Sequence, residues 1–339
     1  MAGAPRREII AEGEVGAYHC MARCVRRAFL CGKDNLTGKD FRHRKEWVQT
    51  GLLRLAGSFA IDVCTFAIMD NHLHVILKQR PDVTNEWSAK EVTSRWRMIF
   101  GRPPKTKSQR EAFELLVEIE SRDAKLVKQR RERLANISWF MRCLCEPIAR
   151  RANKEDSCTG RFWEGRFRSQ ALLDDAAVLA CSAYVDLNPV RAKVAATPET
   201  SRNTSIYERV AERQRSSKQP DESRGGWLSP MSDQSGRKRS AGRRASNDEM
   251  IPLKLNEYLS LLDWTGRQIR QGKRGAIPEH LSPILDRLKI QPTGWVEVVS
   301  NFGRLFKNAA GSPARMSKHA KSIGRKWLKG VGPSRASFL

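Results

Sequence analysis

Met69-Asp70-Asn71-His72-Leu73-His74-Val75-Ile76-Leu77 is the stretch on which the fold turns. The residues leading into it, Ile61 to Met69, are apolar and β-rich; Asp70-Asn71 is a tight-turn signal, and His72 to Leu77 resumes as a strand. Two strands joined so closely predict a hairpin at the centre of a sheet. Side chains alternate faces along a strand, so His72 and His74 project to one side while Leu73 packs on the other. Two imidazoles at that spacing can share a divalent ion. Taken alone, they are more often two polar residues on an exposed strand face.

Outward from the hairpin, Tyr18 to Val25 alternates loosely as a first strand, and Phe41 to Ala56 has amphipathic helical spacing through Trp47, Leu52, Leu53 and Leu55. Helix is expected over Val83 to Phe100, closed by Gly101 and Pro103-Pro104. A long charged helix follows over Ser108 to Ala135, with Phe113, Leu116, Leu126 and Leu134 as its buried stripe, and another over Ile137 to Ala152. Asp174 is placed to N-cap an Ala-rich helix from Asp175 to Leu187, which Pro189 stops or kinks. Ser201 to Asn247 is rich in Ser, Arg, Gly, Gln and Lys and predicts a flexible linker. Ile251 to Leu339 regains helical spacing, and beyond Glu297 it holds nine Lys and Arg and no acid.

In the 339 residues, 62 Lys and Arg stand against 37 Asp and Glu, a net charge of +25 that favours a polyanionic partner, nucleic acid first among them. No run of about 18 apolar residues is present, and the arginines near the N-terminus are not followed by an apolar segment. A membrane protein and a secreted one are therefore not expected. The eight cysteines are expected to be reduced in a cytoplasm, and without a paired C-x-x-C a zinc site is disfavoured.

A second motif is Tyr184-Val185-Asp186-Leu187-Asn188-Pro189-Val190-Arg191-Ala192. On a helix Tyr184 and Asn188 lie one turn apart on one face. The phenol can attack phosphorus covalently, and the amide oxygen can ligate a metal. A core tyrosine followed by an Asn-Pro helix stop fits the same residues. In Arg161-Phe162-Trp163-Glu164-Gly165-Arg166-Phe167-Arg168, Arg161, Arg166 and Arg168 suit phosphates, and rings such as Trp163 suit stacked bases of a single strand. The alternative puts the rings in the core with only the arginines outside. Arg191, after Asn188-Pro189, is a further candidate for phosphate contact. Asp70 and Asn71 are turn formers.

Taken together, these motifs resemble the single-tyrosine HUH transposases of the insertion-sequence 200/605 type, and more closely their REP-associated tyrosine transposase branch. Y-H-C-M-A-R-C-V-R-R, A-I-M-D-N-H-L-H-V-I-L, R-F-W-E-G-R-F-R-S-Q-A-L-L and A-Y-V-D-L-N-P-V-R-A-K-V occur in the family's order between Tyr18 and Ala195. The resemblance implies an α+β fold: a ferredoxin-like antiparallel sheet with packed helices, the HUH endonuclease fold, with the histidines on a central strand. It implies Tyr184 as nucleophile and His72, His74 and Asn188 as ligands of Mg²⁺ or Mn²⁺. It also implies cleavage and joining of single-stranded or hairpin DNA through a 5′-phosphotyrosine. The transposase domain then spans 1–200 with a helical insertion at about 105–135, followed by a flexible basic linker over 201–249 and a small helical basic region over 250–339. The insertion and everything past Ser201 lie outside the minimal family domain. Monomer and homodimer both stay open, and a nucleoid-associated location is expected. A domesticated nickase of genomic repeats, a non-catalytic DNA-binding regulator and a zinc-dependent hydrolase are the competing readings; the last leaves Tyr184 without a role.

Overall fold

A computed structural model describes residues 5, 8–25, 31–34, 38–101, 103–218, 226–233, 244–271 and 282–338. Strands β1 (Gly16–Arg23), β2 (Ile61–Ile68), β3 (His72–Gln79), β4 (Arg168–Leu172) and β5 (Ala309–Ala310) form one sheet in the order β2-β3-β1-β4-β5. The first three pairings are antiparallel and β4-β5 is parallel, so the sheet is mixed rather than wholly antiparallel. The hairpin forms as its turn signal predicts, but β1 occupies the centre and β2 the edge. A turn fixes which strands are neighbours; it says nothing of the partner that β3 takes on its free side.

Helix α1 (His43–Ala56) joins β1 to β2. After β3 come α2 (Pro81–Glu86), α3 (Ala89–Phe100), α4 (Lys107–Ser121), α5 (Ala124–Leu134) and α6 (Ile137–Glu155), then β4, α7 (Asp175–Asp186) and α8 (Asn188–Arg191). The remainder holds α9 (Ser205–Lys218), α10 (Leu255–Gln271), α11 (Ser282–Arg287), α12 (Trp295–Leu305), α13 (Pro313–Ser322) and α14 (Val331–Ser337). None of the described helices is long and apolar enough to cross a membrane.

Two expected helices are each split by a cap. Ser88 accepts from Glu91 N to start α3, and Asp123 accepts from Leu126 N to start α5. The split shifts the buried stripe of the charged segment: Val117, Val127 and Leu134 are buried, whereas Leu116 is exposed and Phe113 and Leu126 are half-buried. Asp174 caps α7 through Ala177 N as predicted. Helix α7 stops at Asp186 with Leu187 as its C-cap, and Pro189 sits in the first turn of α8, where a proline forfeits no internal hydrogen bond.

The segment expected to be a flexible linker behaves differently. Its parts at 219–225 and 234–243 lie outside the described residues, but the rest is anchored. Helix α9 packs on β2, and Ile206, Trp227, Leu228 and Met231 are buried. Edge strands expose unpaired backbone groups, and here polar residues of the segment serve them. Ser229 N donates to Val63 O at 2.9 Å and Arg209 Nη2 to Cys64 O at 2.9 Å. Ser246 donates from its backbone N and its hydroxyl to the buried Asp62 carboxylate at 2.9 and 2.6 Å. A polar composition here marks hydrogen bonding to a buried edge.

The 250–339 region is likewise built into the sheet. Ala171 N donates to Asn308 O and Leu173 N to Ala310 O, which sets β5 beside β4, while Ser312 N donates to Asp174 Oδ2. Helix α12 packs along α7, with Trp295, Val299 and Phe302 buried.

Candidate functional site

Register places the histidines. His74 pairs with Met21 and His72 with Arg23, so His72, His74, Met21, Arg23 and the residue two before Met21, His19, share one face of the sheet. Helix α7 lies on that face, where Thr65 donates to Ser182 Oγ at 3.1 Å. Helix α6 lies on the other, where its Met141 and Cys145 line a cavity with Ala22.

The His72 and His74 rings stand 4.8 Å apart, nearly perpendicular. His72 Nδ1 lies 2.6 Å from Asn71 Oδ1, an atom that only accepts, so Nδ1 carries the proton and Nε2 the lone pair. A longer chain fixes His74. His19 Nδ1 meets Gln170 Oε1 at 3.3 Å, and His19 Nε2 meets His74 Nδ1 at 2.9 Å. Because Gln170 Oε1 accepts, His19 Nδ1 donates to it. His19 Nε2 then accepts from His74 Nδ1, and the lone pair of His74 is left on Nε2. Burial pushes His19 down to about 4. Burial, with Arg23 and Arg191 nearby, does the same to His72, down to about 4. Burial first, then His19, His72 and Arg191, holds His74 well below the usual histidine range. All three rings are therefore neutral at pH 7, the protonation state in which imidazole ligates a metal.

Tyr184, half-buried on α7, brings its ring to 5.6 Å from that of His74 and 6.1 Å from that of His19. The Arg191 guanidinium lies 4.0 Å from the tyrosine ring centre, held by a 2.6 Å bond from Nη1 to Ser300 O of α12. Phe302 packs its ring 6.0 Å from Tyr184, and a Cβ at Gly303 would lie 3.1 Å from the tyrosine hydroxyl. A side chain there would press on the tyrosine hydroxyl, so glycine lets α12 pass close without displacing it. The 250–339 region therefore walls the tyrosine. Asn188 follows Tyr184 by one turn, is buried, and its Nδ2 has no hydrogen-bond partner among the described residues.

The other sequence-predicted residues divide between the two faces. Arg168 pairs with Met21 and so belongs to the histidine face, exposed. Trp163 bridges Cys24 on the opposite side, half-buried, and its indole N–H donates to Cys145 O at 2.8 Å. Phe162 is core, and Arg161 and Arg166 are exposed. Arg191 stacks on the Tyr184 ring and bonds Ser300 O, which sets its guanidinium beside the tyrosine. His19, Gln170, Arg23 and the α12 residues are the neighbours the sequence reading missed. The strand parity of Tyr18-His19-Cys20-Met21 put His19 on one face with Met21, but only the β1-β3 register shows that this face is that of His74.

The pair of Nε2 lone pairs on one face suits a divalent ion that takes imidazole ligands; the orphaned atom of Asn188 is Nδ2, a hydrogen-bond donor, so only its Oδ1 would serve as a ligand. Lacking a carboxylate, this donor set suits Mn²⁺ better than Mg²⁺. Among the described residues no cluster of three or more His, Cys, Asp or Glu is arranged to hold a metal. None of the eight cysteines forms a disulfide.

No family model matches the chain. No curated protein matches it either. Among solved structures, a REP-associated tyrosine transposase bound to a REP hairpin aligns with a TM-score of 0.33 and 10% identity, over 62% of this chain and 86% of that one. A TM-score of that size does not establish a shared fold.

Proposed function

We propose that this chain is a single-tyrosine DNA nuclease and strand transferase that acts on single-stranded or hairpin DNA, with a ferredoxin-like HUH domain at its heart. The observation that carries the reading is the 5.6 Å approach of the Tyr184 ring to His74, beside two imidazoles whose lone pairs are fixed on Nε2. The succession β1-α1-β2-β3-α6-β4, with strand order β4-β1-β3-β2, supports the ferredoxin-like assignment. The family motifs from Tyr18 to Ala195 support the reaction class.

His72, His74 and Asn188 would hold Mn²⁺ or Mg²⁺, which supplies Lewis acidity at the scissile phosphate. Tyr184 Oη gives up its proton and attacks phosphorus in line; the new P–O bond forms as the P–O3′ bond breaks, and one proton, in net the phenol's, ends on the leaving oxygen as a 3′-hydroxyl. The Arg191 guanidinium beside the ring counters the negative charge that gathers on the phosphoryl oxygens. Gly303 and Phe302 keep the tyrosine in one place, so that little orientational freedom remains to be lost. The 5′-phosphotyrosine conserves the phosphodiester bond energy, and a second 3′-hydroxyl reverses the step to join new ends.

Incubating the protein with labelled hairpin DNA and Mn²⁺, then resolving it under denaturing conditions, tests this. A covalent adduct is expected for the parent and none for Tyr184→Phe, with DNA affinity within a few-fold. An adduct that survives in the Phe variant removes Tyr184 from the role. Binding without any adduct across hairpin substrates favours a non-catalytic regulator.

A further inference from the structure

A cavity of about 500 Å³ opens between α6 and the chain preceding β4, walled by Trp139, Met141, Trp163 and Phe167 and rimmed by Arg142 and Arg166. We infer that it holds one unstacked nucleobase of the DNA strand, a contact separate from the tyrosine and histidines. The inference rests on the nuclease reading only in taking a single strand as the ligand.

The walls are aromatic, and they are fixed. Trp163 commits its N–H to Cys145 O, so its ring cannot turn and its polar atom is already satisfied. Trp139 sits in the first turn of α6, where Asn136 Oδ1 accepts from its backbone N at 3.2 Å. The guanidinium groups of Arg133 and Arg142 lie 4.4 and 5.1 Å from the Trp139 ring centre. A flat π surface can stack in such a place whatever its hydrogen-bonding edge. At the rim Arg142 is paired with Glu146 at 3.2 Å, while Arg166 is exposed and forms no ion pair among the described residues, which suits the phosphate attached to the base. An aliphatic lipid chain would make no use of indole faces.

Position links the cavity to the candidate site. Arg23 pairs with His72, and the next residue, Cys24, bridges Trp163, while Glu164 N donates to Arg23 O at 2.7 Å. Trp163 therefore lies one residue step beyond His72, around the end of β1 and on the opposite face. A strand that crosses this end of the sheet from the histidines arrives at the cavity mouth.

The test uses the full chain carrying Tyr184→Phe, so that binding is read without chemistry. Its ligand is a short single strand with one 2-aminopurine moved along successive positions. Quenching is expected to peak at one register. Trp139→Ala is expected to abolish that peak and weaken binding about 5- to 150-fold, the range for one stacked base, with Trp139→Phe keeping most of both. Arg166→Glu, at an exposed position that leaves the thermal midpoint unchanged, is expected to lower the salt slope by at least about 0.7. Uniform quenching at every register, or unchanged affinity in both Trp139→Ala and Arg166→Glu, overturns the inference. So does a loss confined to anionic phospholipid vesicles. If the parent forms no adduct yet these binding effects appear, the nuclease reading fails and the pocket stands; the reverse pattern separates them the other way.

Discussion

His74 has two ring nitrogens, and the hydrogen-bonded chain from Gln170 through His19 decides which of them faces outward. Without His19 the buried Nδ1–H of His74 loses its acceptor and the ring its fixed tautomer. Partners of this kind typically contribute 10- to 100-fold to metal affinity. His19→Phe should therefore weaken Mn²⁺ binding by about that factor, as followed by the electron spin resonance signal of free Mn²⁺; unchanged affinity would show that the chain does not orient His74. Acid brings a second consequence. His19 and His72 titrate near 4 in the folded chain, against about 6.5 when unfolded, so the unfolded state binds more protons between those values. Their contribution to stability is intact above about pH 6.5 and declines as pH falls toward 4. That His72 and His74 share a strand face and that Tyr184 stands on a helix was legible in the sequence, because strand alternation and helical spacing are local properties. His19 was not, because its meeting with His74 depends on pairing between β1 and β3, which lie some fifty residues apart.

Asp186 governs how α7 is held. Its Oδ1 accepts from Ser205 Oγ and Ile206 N at the start of α9, and its Oδ2 accepts from Tyr258 of α10 at 2.7 Å. One carboxylate thus ties the helix of Tyr184 to two later helices. Burial raises it to about 6, although Ser205, Tyr258 and Arg209 pull the other way. Here the folded state binds the extra proton between about pH 4 and 6, so this group's contribution falls as pH rises through that window, by on the order of 3 kcal/mol. That is opposite in sign to the histidines. Asp186→Asn keeps an acceptor for Ser205 and Ile206 and removes the buried charge. Relative to the parent, urea unfolding should show this variant gaining stability on going from pH 4 to pH 7; a constant difference would place the titration elsewhere. At the same scale, α7 was predictable from its cap and alanines, whereas α9 was not. The Ser205-Ile206-Tyr207 start of α9 sits in a polar context, and its anchorage depends on Asp186 and Cys64 O, partners far away in sequence.

Across the whole molecule, the chain past residue 250 is structural as well as basic. Two alanines, Ala309 and Ala310, make β5, a length that leaves no periodic signature, and α12 reaches the tyrosine through Gly303. Neither feature could be read without the fold, which is why this region looked separate. Removing it would strip the sheet edge and the wall of Tyr184 together, so its contribution to DNA binding is better tested at exposed positions. Lys318, Lys326 and Lys329 are exposed, as is Trp327 at 73%. Replacing the three lysines by alanine should lower the salt slope of single-strand binding by about 2 while the fold survives; an unchanged slope would assign the nonspecific affinity to another surface. The central claim is that Tyr184 carries DNA through its phenolic oxygen, in the space bounded by His74, Arg191 and α12. Peptide mapping by mass spectrometry of the nuclease-trimmed adduct addresses it most directly. The account predicts a nucleotide 5′-phosphate on the peptide containing Tyr184 alone, and a modified Tyr207, Tyr258 or serine with Tyr184 unmodified would contradict it.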